Sequence, residues 1–274
     1  MQVNVTTSIK GMQSSQKQST LEKILSEMGS VLVAYSGGID SALVAFFAHR
    51  ILGDRMLAVT AQSDSVAHSE MEHAIRFAGT HGIPHRVIQT EEVADPRYAA
   101  NPVNRCFFCK DELYSKVACL REELGFAYVV DGSHGDDDVG DRPGMRAARD
   151  HGVRSPLREA ALSKLEIRTI ARDLGLEIWD KPASPCLSSR IPHGIAITPE
   201  KLQQVDRAEE VLRKLGFRVF RVRHHDELAR IEVARDELPR LLDLELFDQV
   251  VASFHRIGYK HVTLDMKGYP SSKQ

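Results

Sequence analysis

The sequence predicts an α/β protein whose parallel sheet is followed by a second, smaller α+β C-terminal domain. Three observations carry that expectation. Strand-like runs at Val31–Tyr35, Met56–Thr60, His85–Gln89 and Tyr128–Asp131 are each separated by a helical pattern. A Ser-Gly-Gly-Ile-Asp-Ser turn joins the first strand directly to a helix. Beyond about residue 193 the alternation gives way to a helix, a strand pair and a further helix. Strands that alternate with helices imply right-handed crossovers and a sheet covered on both faces. Ligands in such sheets bind beyond the carboxyl ends of the strands.

Taken in order, residues 1–20 are rich in Ser, Gln and Thr and read as a mobile tail. The first domain is set at 21–192 and the second at 193–274. Helices are expected at Ser41–Leu52, Ser69–Gly82, Lys110–Leu124 and Lys164–Leu174, the third with Leu113, Val117, Leu120 and Leu124 on one side. In the second domain Thr198 reads as an N-cap for a helix over Pro199–Leu215, and Gly216 as its stop. Phe217–Arg223 and Ala229–Val233 read as paired strands, Asp236–Ile257 as a helix and His261–Asp265 as a last strand.

Bulk properties exclude several classes. A hydrophobic share of 42% with 27% charged residues suits a protein with a real core. The net charge of −2 gives no electrostatic reason to bind nucleic acid or an anionic membrane. No run approaches the roughly 20 apolar residues of a membrane span, and no signal-peptide hydrophobic region is seen, so the cytoplasm is the default. Four cysteines in 274 residues do not suggest a secreted disulfide scaffold, and in a reducing compartment a CxxC points to a metal or redox site.

Strand, glycine turn and helix start, in that order, form a phosphate cradle. Gly37 and Gly38 allow backbone angles closed to other residues and let main-chain N–H groups approach an anion. Ser36 and Ser41 flank the turn, and Ser41 falls where the helix dipole favours negative charge. Asp40 does not suit a phosphate directly; its carboxylate suits a Mg²⁺ that bridges phosphates. No Gly-Lys-Ser/Thr follows, so this is not a Walker loop, and GxGxxG is absent. SGGxDS resembles the PP-loop of ATP pyrophosphatases, which cleave ATP between the α and β phosphates and adenylate an oxygen of their substrate. That resemblance implies a Rossmann-like adenine nucleotide alpha hydrolase fold.

The cysteines admit three readings. Cys106 and Cys109 lie just before a helix, so that their sulfurs converge from a loop and the helix start, and Cys186 lies in a Pro-bounded loop. They could be ordinary thiols near a core. A closed structural zinc site would need a fourth ligand, and no second CxxC exists. Three thiolates fit best with an iron–sulfur cluster whose fourth iron is open to a ligand such as hydrosulfide. Cys119 sits beside Val117 and Leu120 in an amphipathic helix and reads as a half-buried thiol.

SGGIDS, CFFCKDELY, VVDGSHGDD with DRPGMRAA, PASPCLSSRIPHG and FRVFRVRHHDELARIEV, in this order, together resemble the LarE family. The resemblance spans Leu21 to Gly268. It implies an ATP-dependent sulfur transferase that adenylates the carboxylates of pyridinium-3,5-biscarboxylic acid mononucleotide and converts them to thiocarboxylates. The product belongs to the nickel-pincer nucleotide cofactor of lactate racemase, and family members assemble as homo-oligomers. The family has two sulfur sources: a sacrificed cysteine, or a [4Fe–4S] cluster on three cysteines. Cys106, Cys109 and Cys186 resemble the cluster form; in the other form Cys186 would be the donor, one residue out of register. The source of sulfide is left open.

The resemblance also implies roles for single residues. Lys110 matches an active-site lysine, and a positive charge in the first turn of a helix is otherwise mildly unfavourable. Ser189 and Arg190 match residues that hold a substrate phosphate, and Glu209 matches an active-site acid. Arg221 and Arg223 alternate on a strand and so share a face, an arrangement suited to bidentate phosphate or carboxylate binding. Asp131, Ser133 and Asp137 flank the end of the fourth strand, in reach of adenosine or Mg²⁺, and Gly132 permits a sharp exit there. His224 and His225 point to opposite faces and read as turn or surface residues rather than ligands of one ion. An ammonia-using synthetase or a tRNA 2-thiolation enzyme is the rival with the same loop. The first has no use for three cysteines, and the second would be expected to carry a basic strip. A non-catalytic nucleotide sensor would not need Asp40, Lys110 and Arg190 together.

Overall fold

A computed structural model describes the backbone of residues 4–137 and 143–269, and side chains from residue 15 onward within those ranges. In chain order the elements are α1 (Asn4–Met28), β1 (Val31–Ala34), α2 (Ile39–Leu52), β2 (Met56–Gln62), α3 (His68–Thr80), β3 (His85–Gln89), α4 (Pro96–Ala99), α5 (Arg105–Leu124), β4 (Tyr128–Val130), α6 (Pro143–Asp150), α7 (Pro156–Glu159), α8 (Lys164–Asp173), α9 (Pro199–Lys214), β5 (Phe220–His225), β6 (Leu228–Val233), α10 (Leu244–Ile257) and β7 (His261–Leu264). The chain divides into two compact units. One comprises Met1–Gln62, Glu70–Glu91 and Asn104–Ala183; the other comprises Ser63–Ser69, Glu92–Val103 and Ser184–Gln274.

The first unit holds a four-stranded sheet in the order β3-β2-β1-β4, with every pairing parallel. The predicted α/β class with its parallel sheet is what the structure has. Alternation along β1 explains why both faces are covered. Val31 and Val33 pack with Leu43, Val44 and Phe47 of α2, Leu21 and Leu25 of α1 and Ile167 of α8. Leu32, one residue out of phase, packs with Val59, Val129, and Val117 and Leu120 of α5. All four β1 residues are buried, which accounts for a run of apolar residues where a one-sided strand would alternate.

Helix α1 occupies the stretch where the sequence predicts a mobile tail. Leu21, Leu25 and Met28 recur at helical spacing and are buried, and Lys17 Nζ reaches both Glu166 oxygens at 2.8 and 2.9 Å. Helix α5 starts at Arg105, one turn earlier than expected, so that the CxxC lies on the helix itself. Asp141 and Arg142 of the DRPGMRAA motif lie outside the described residues.

In the second unit β5 pairs antiparallel with β6, and β6 pairs parallel with β7. Val222, Ala229, Ile231 and Val233 face a core completed by Ala208 and Leu212 of α9 and Val250 and Phe254 of α10. Arg221, Arg223, Arg230 and Glu232 alternate with those residues and so form the opposite face. The expected helix over Asp236–Ile257 is split: a 3-10 turn at Leu238–Leu242 ends at Asp243, which caps α10 by accepting from Leu246 N at 3.0 Å. His225 is exposed as expected, but His224 is buried. Alternation turns His224 toward the core, where its Nδ1 lies 3.1 Å from the Tyr259 hydroxyl.

At the end of β4 a β-carbon on Gly132 would lie 2.5 Å from Ser41 N and 2.9 Å from the Asp40 carbonyl carbon. Glycine is needed there for close backbone approach, and its φ is not positive as a sharp exit would require. Gly132→Ala must push the start of α2 away from β4. It should destabilise the protein by about 1–3 kcal/mol, seen as a lower urea midpoint at unchanged m-value.

Candidate active site

The turn between β1 and α2 is laced from within. Gly37 has φ +71°, and a β-carbon there would lie 2.8 Å from Ala74 Cβ, so both conformation and space demand glycine. Gly38 has φ −76° and ψ 156°, which any residue can adopt. Its use is different: it is the N-cap of α2 and brings no side chain to cap the helix start. The positive end of the helix dipole thus meets the loop without a side-chain acceptor of its own. Ser41 Oγ donates to Gly38 O at 3.1 Å, accepts from Ser36 N at 3.1 Å and lies 3.1 Å from Ser36 Oγ. Ser36 and Ser41 therefore brace the turn as well as flanking it.

Two lysines that sequence patterns did not single out close on this loop. Lys181 Nζ donates to Gly37 O at 2.9 Å and pairs with Glu70 at 2.8 Å. Lys164 Nζ lies 2.7 and 2.6 Å from the two Asp40 carboxylate oxygens. Lys164 is the first residue of α8, held by a capping box in which Ser163 and Glu166 bond reciprocally. That Ser-x-x-Glu spacing is visible in the sequence; where the lysine reaches is not.

Beside the loop, Asp131 is 6% exposed and gathers hydroxyls. It accepts from Ser133 Oγ at 2.9 Å, Ser155 Oγ at 2.8 Å and Tyr114 OH at 3.2 Å. Burial pushes the Tyr114 phenol up to about 12, so it remains a donor at neutral pH. Tyr114, Cys109 and Asp131 hold Lys110 above the usual lysine range despite burial, which keeps its ammonium charged. Asp137 instead closes a local turn by accepting from His134 N at 3.0 Å. Cys106 and Cys109 stand one turn apart on α5, the first exposed and the second half-buried. Cys119, further along α5, is exposed rather than half-buried. It stands two residues from buried Val117, on the solvent side of the amphipathic pattern.

In the second unit Cys186, Ser189, Arg190, Glu209, Arg221 and Arg223 lie among one another. Arg190 and Glu209 form a buried pair, with Nε–Oε1 at 2.8 Å and Nη2–Oε2 at 3.0 Å. Arg190 Nη1 also donates to Pro185 O at 2.6 Å and to Ser189 Oγ at 2.9 Å, so this arginine shapes the loop that carries Cys186. Glu209 also accepts from Val222 N at 3.0 Å, which places the acid between helix and strand rather than in solvent. Arg223 donates to Ser189 O at 2.8 Å and pairs with Glu232 at 2.9 Å. Arg221 is the contrast. Its Nε is buried without a hydrogen-bond partner, and its guanidinium lies 4.4 Å from the Tyr269 ring centroid. Burial and the like charges of Arg190 and Arg223 hold it below the ordinary guanidinium range. A half-buried cation crowded by two others can take up an anion.

Fold and loop together define a PP-loop nucleotide-binding α/β protein. The family model for NAD synthase matches residues 14–102. The chain is 48% identical over 257 residues to the uncharacterized protein slr1717 of Synechocystis sp., covering 94% of this chain and 96% of that one. It is 36% identical over 259 residues to pyridinium-3,5-bisthiocarboxylic acid mononucleotide synthase of Lactiplantibacillus plantarum, covering 94% and 93% of the two. A subunit of the glutamine-hydrolyzing GMP synthase of Pyrococcus furiosus matches at 27% over 68% of this chain and 65% of its own length. The chain belongs to the LarE family and is an enzyme of the PP-loop ATP pyrophosphatase type. Among the described residues no helix is long and apolar enough to cross a membrane.

The Arg190–Glu209 pair is nearly solvent-free, with side chains 4% and 3% exposed. Glu209→Gln leaves a buried guanidinium without its counter-charge, and this should cost about 3–5 kcal/mol. Thermal unfolding should show a marked drop in midpoint, whereas Glu210→Gln on the more open side of α9 should change it little.

Proposed function

We propose that the enzyme adenylates the carboxylates of pyridinium-3,5-biscarboxylic acid mononucleotide with ATP and converts them to thiocarboxylates. The observation that carries this reading is the braced Ser36–Ser41 loop at the carboxyl edge of the parallel sheet, in a chain of the LarE family. A carboxylate oxygen attacks the α-phosphorus of ATP, the bond to the β-phosphate oxygen breaks, and pyrophosphate leaves. Sulfur then attacks the acyl carbon and the C–O bond to AMP breaks, so each carboxylate consumes one ATP.

The protein's own residues bind and orient. The N–H groups at the start of α2 receive the phosphates, and the Lys110 ammonium offsets charge that builds on them. Arg221 and Arg223 hold the mononucleotide phosphate, with Ser189 and Arg190 fixing the loop beside them. Glu209 acts through Arg190. Asp40 would hold Mg²⁺; its partly open carboxylate, already bonded to a cation in the form of Lys164, fits a hard ion. Bound there, Mg²⁺ would supply positive charge against the departing pyrophosphate.

Cys106, Cys109 and Cys186 would hold a [4Fe–4S] cluster, a donor set that suits such a group. When bound it would supply transferable sulfide. Homo-oligomeric assembly in the cytoplasm, and supply of the product to lactate racemase or another nickel enzyme, belong to the same proposal.

Mass spectrometry of protein and small molecules, before and after anaerobic turnover with Mg·ATP and sulfide, tests the reading. The expected product has sulfur in place of a carboxylate oxygen, with pyrophosphate and AMP formed in step. Amide formation would overturn it in favour of an ammonia-using synthetase. A protein lighter by one H₂S would replace the cluster with sacrifice of Cys186. Anaerobically prepared protein should be brown, and Cys106→Ser or Cys109→Ser should remove the colour. Cys119→Ser should leave both colour and sulfur transfer unchanged.

A further inference from the structure

The two lysines on the phosphate loop are held in different ways. Lys181 is 14% exposed in its side chain and divides its ammonium between a main-chain carbonyl and Glu70, so it is locked into the scaffold. Lys164 is 35% exposed, and the contacts of its ammonium go to the Asp40 carboxylate, itself 25% exposed. Its main chain is anchored: the amide donates to Asp136 at 2.6 Å, and the residue before it is fixed by the capping box. A fixed Cα with a long, half-open side chain can swing its ammonium without disturbing the helix.

Asp40 is thus neutralised by a tethered cation at the place where the phosphate loop calls for a divalent one. Lysine nitrogen and metal compete for the same oxygens. Without either, a bare carboxylate in the first turn of α2 would repel a triphosphate. We propose that Lys164 is a positioning residue that stands in for Mg²⁺ on Asp40 while nucleotide is absent. When the metal takes the carboxylate, the ammonium is released toward the incoming phosphates. This rests on the reading of the loop as an ATP site. It makes metal and nucleotide binding cooperative: the metal frees a cation for the anion, and the anion holds that cation off the metal's ligand.

The test is calorimetry of ATP with EDTA present, and Mn²⁺ titration without nucleotide, on the whole chain. Lys164→Met should bind Mn²⁺ roughly fivefold tighter than the wild type, because the competitor is gone, and metal-free ATP roughly fivefold weaker. Asp40→Asn should do the reverse for metal-free ATP, binding it roughly fivefold tighter, since the ammonium is free and the carboxylate charge is gone. Lys164→Met placed on Asp40→Asn should remove that gain. Effects of the same sign on Mn²⁺ and ATP in Lys164→Met, or unchanged metal-free ATP affinity in Asp40→Asn, would overturn the proposal. The Asp40→Asn arm stands alone if Lys164→Met fails to fold. A wild type that binds no ATP defeats the loop reading and this inference together. A wild type that binds ATP while the variants fail to diverge defeats the inference alone.

Discussion

The contact on which the first unit depends is the jamming of β4's exit against the first turn of α2. Parallel pairing of β1 with β4, in the register Val31–Tyr128 to Val33–Val130, brings both carboxyl ends to one edge. Gly132 then passes so close to Ser41 that no β-carbon fits between them. Two loops that would otherwise be independent become one surface. The Asp131 hydroxyl network lies on one side of that contact and the Ser36–Ser41 brace on the other. Pre-organisation of this kind matters for an anion site, since the N–H groups must face the ligand before it arrives.

Charge in the two units follows different rules. In the first, the lysines at the phosphate loop are both spoken for, Lys181 by Glu70 and Lys164 by Asp40. In the second, Arg190 is matched by Glu209 and Arg223 by Glu232, which leaves Arg221 against an aromatic face instead of an acid. Paired charges of the second unit organise backbone: Arg190 fastens the loop around Cys186, and Arg223 reaches the Ser189 carbonyl. The unmatched one has hydrogen-bonding capacity left for a ligand.

Periodicity and turn chemistry made the fold legible. Four parallel strands, their intervening helices and the Thr198 cap come straight from apolar spacing and capping residues. Where periodicity is weak, the reading falters. Helix α1 is anchored by three apolar residues near its end and by a lysine that pairs 149 positions away, a contact no local pattern reports. Helix α5 begins at Arg105 and runs through the cysteine motif because nothing in Cys-Phe-Phe-Cys breaks a helix, although its N-cap Asn104 makes no side-chain capping bond. At the candidate site, the glycine loop and the alternating arginines stand out by local spacing, and Lys110 by the family resemblance and its charge in a first helical turn. Lys164, Lys181, Tyr114 and Tyr269 do not. Their roles come from long-range contacts, and a lone lysine or tyrosine carries no spacing signal of its own.

The span of the NAD synthase match separates shared chemistry from particular chemistry. It runs from 14 to 102, taking in β1, the phosphate loop, β2 and β3, and stops short of Cys106. What lies within it is the part shared with the NAD synthase family. Helix α5 follows immediately and brings Cys106, Cys109 and Lys110 on one rigid element, seated on the sheet by Val117 and Leu120. The same helix supplies Tyr114 to the Asp131 network beside the phosphate loop. Cys106, Cys109 and Lys110 are therefore carried as a single body with the nucleotide sheet. A sulfur-transferring enzyme gains from that coupling, because the group that attacks must meet an acyl carbon whose position is set by the adenylate.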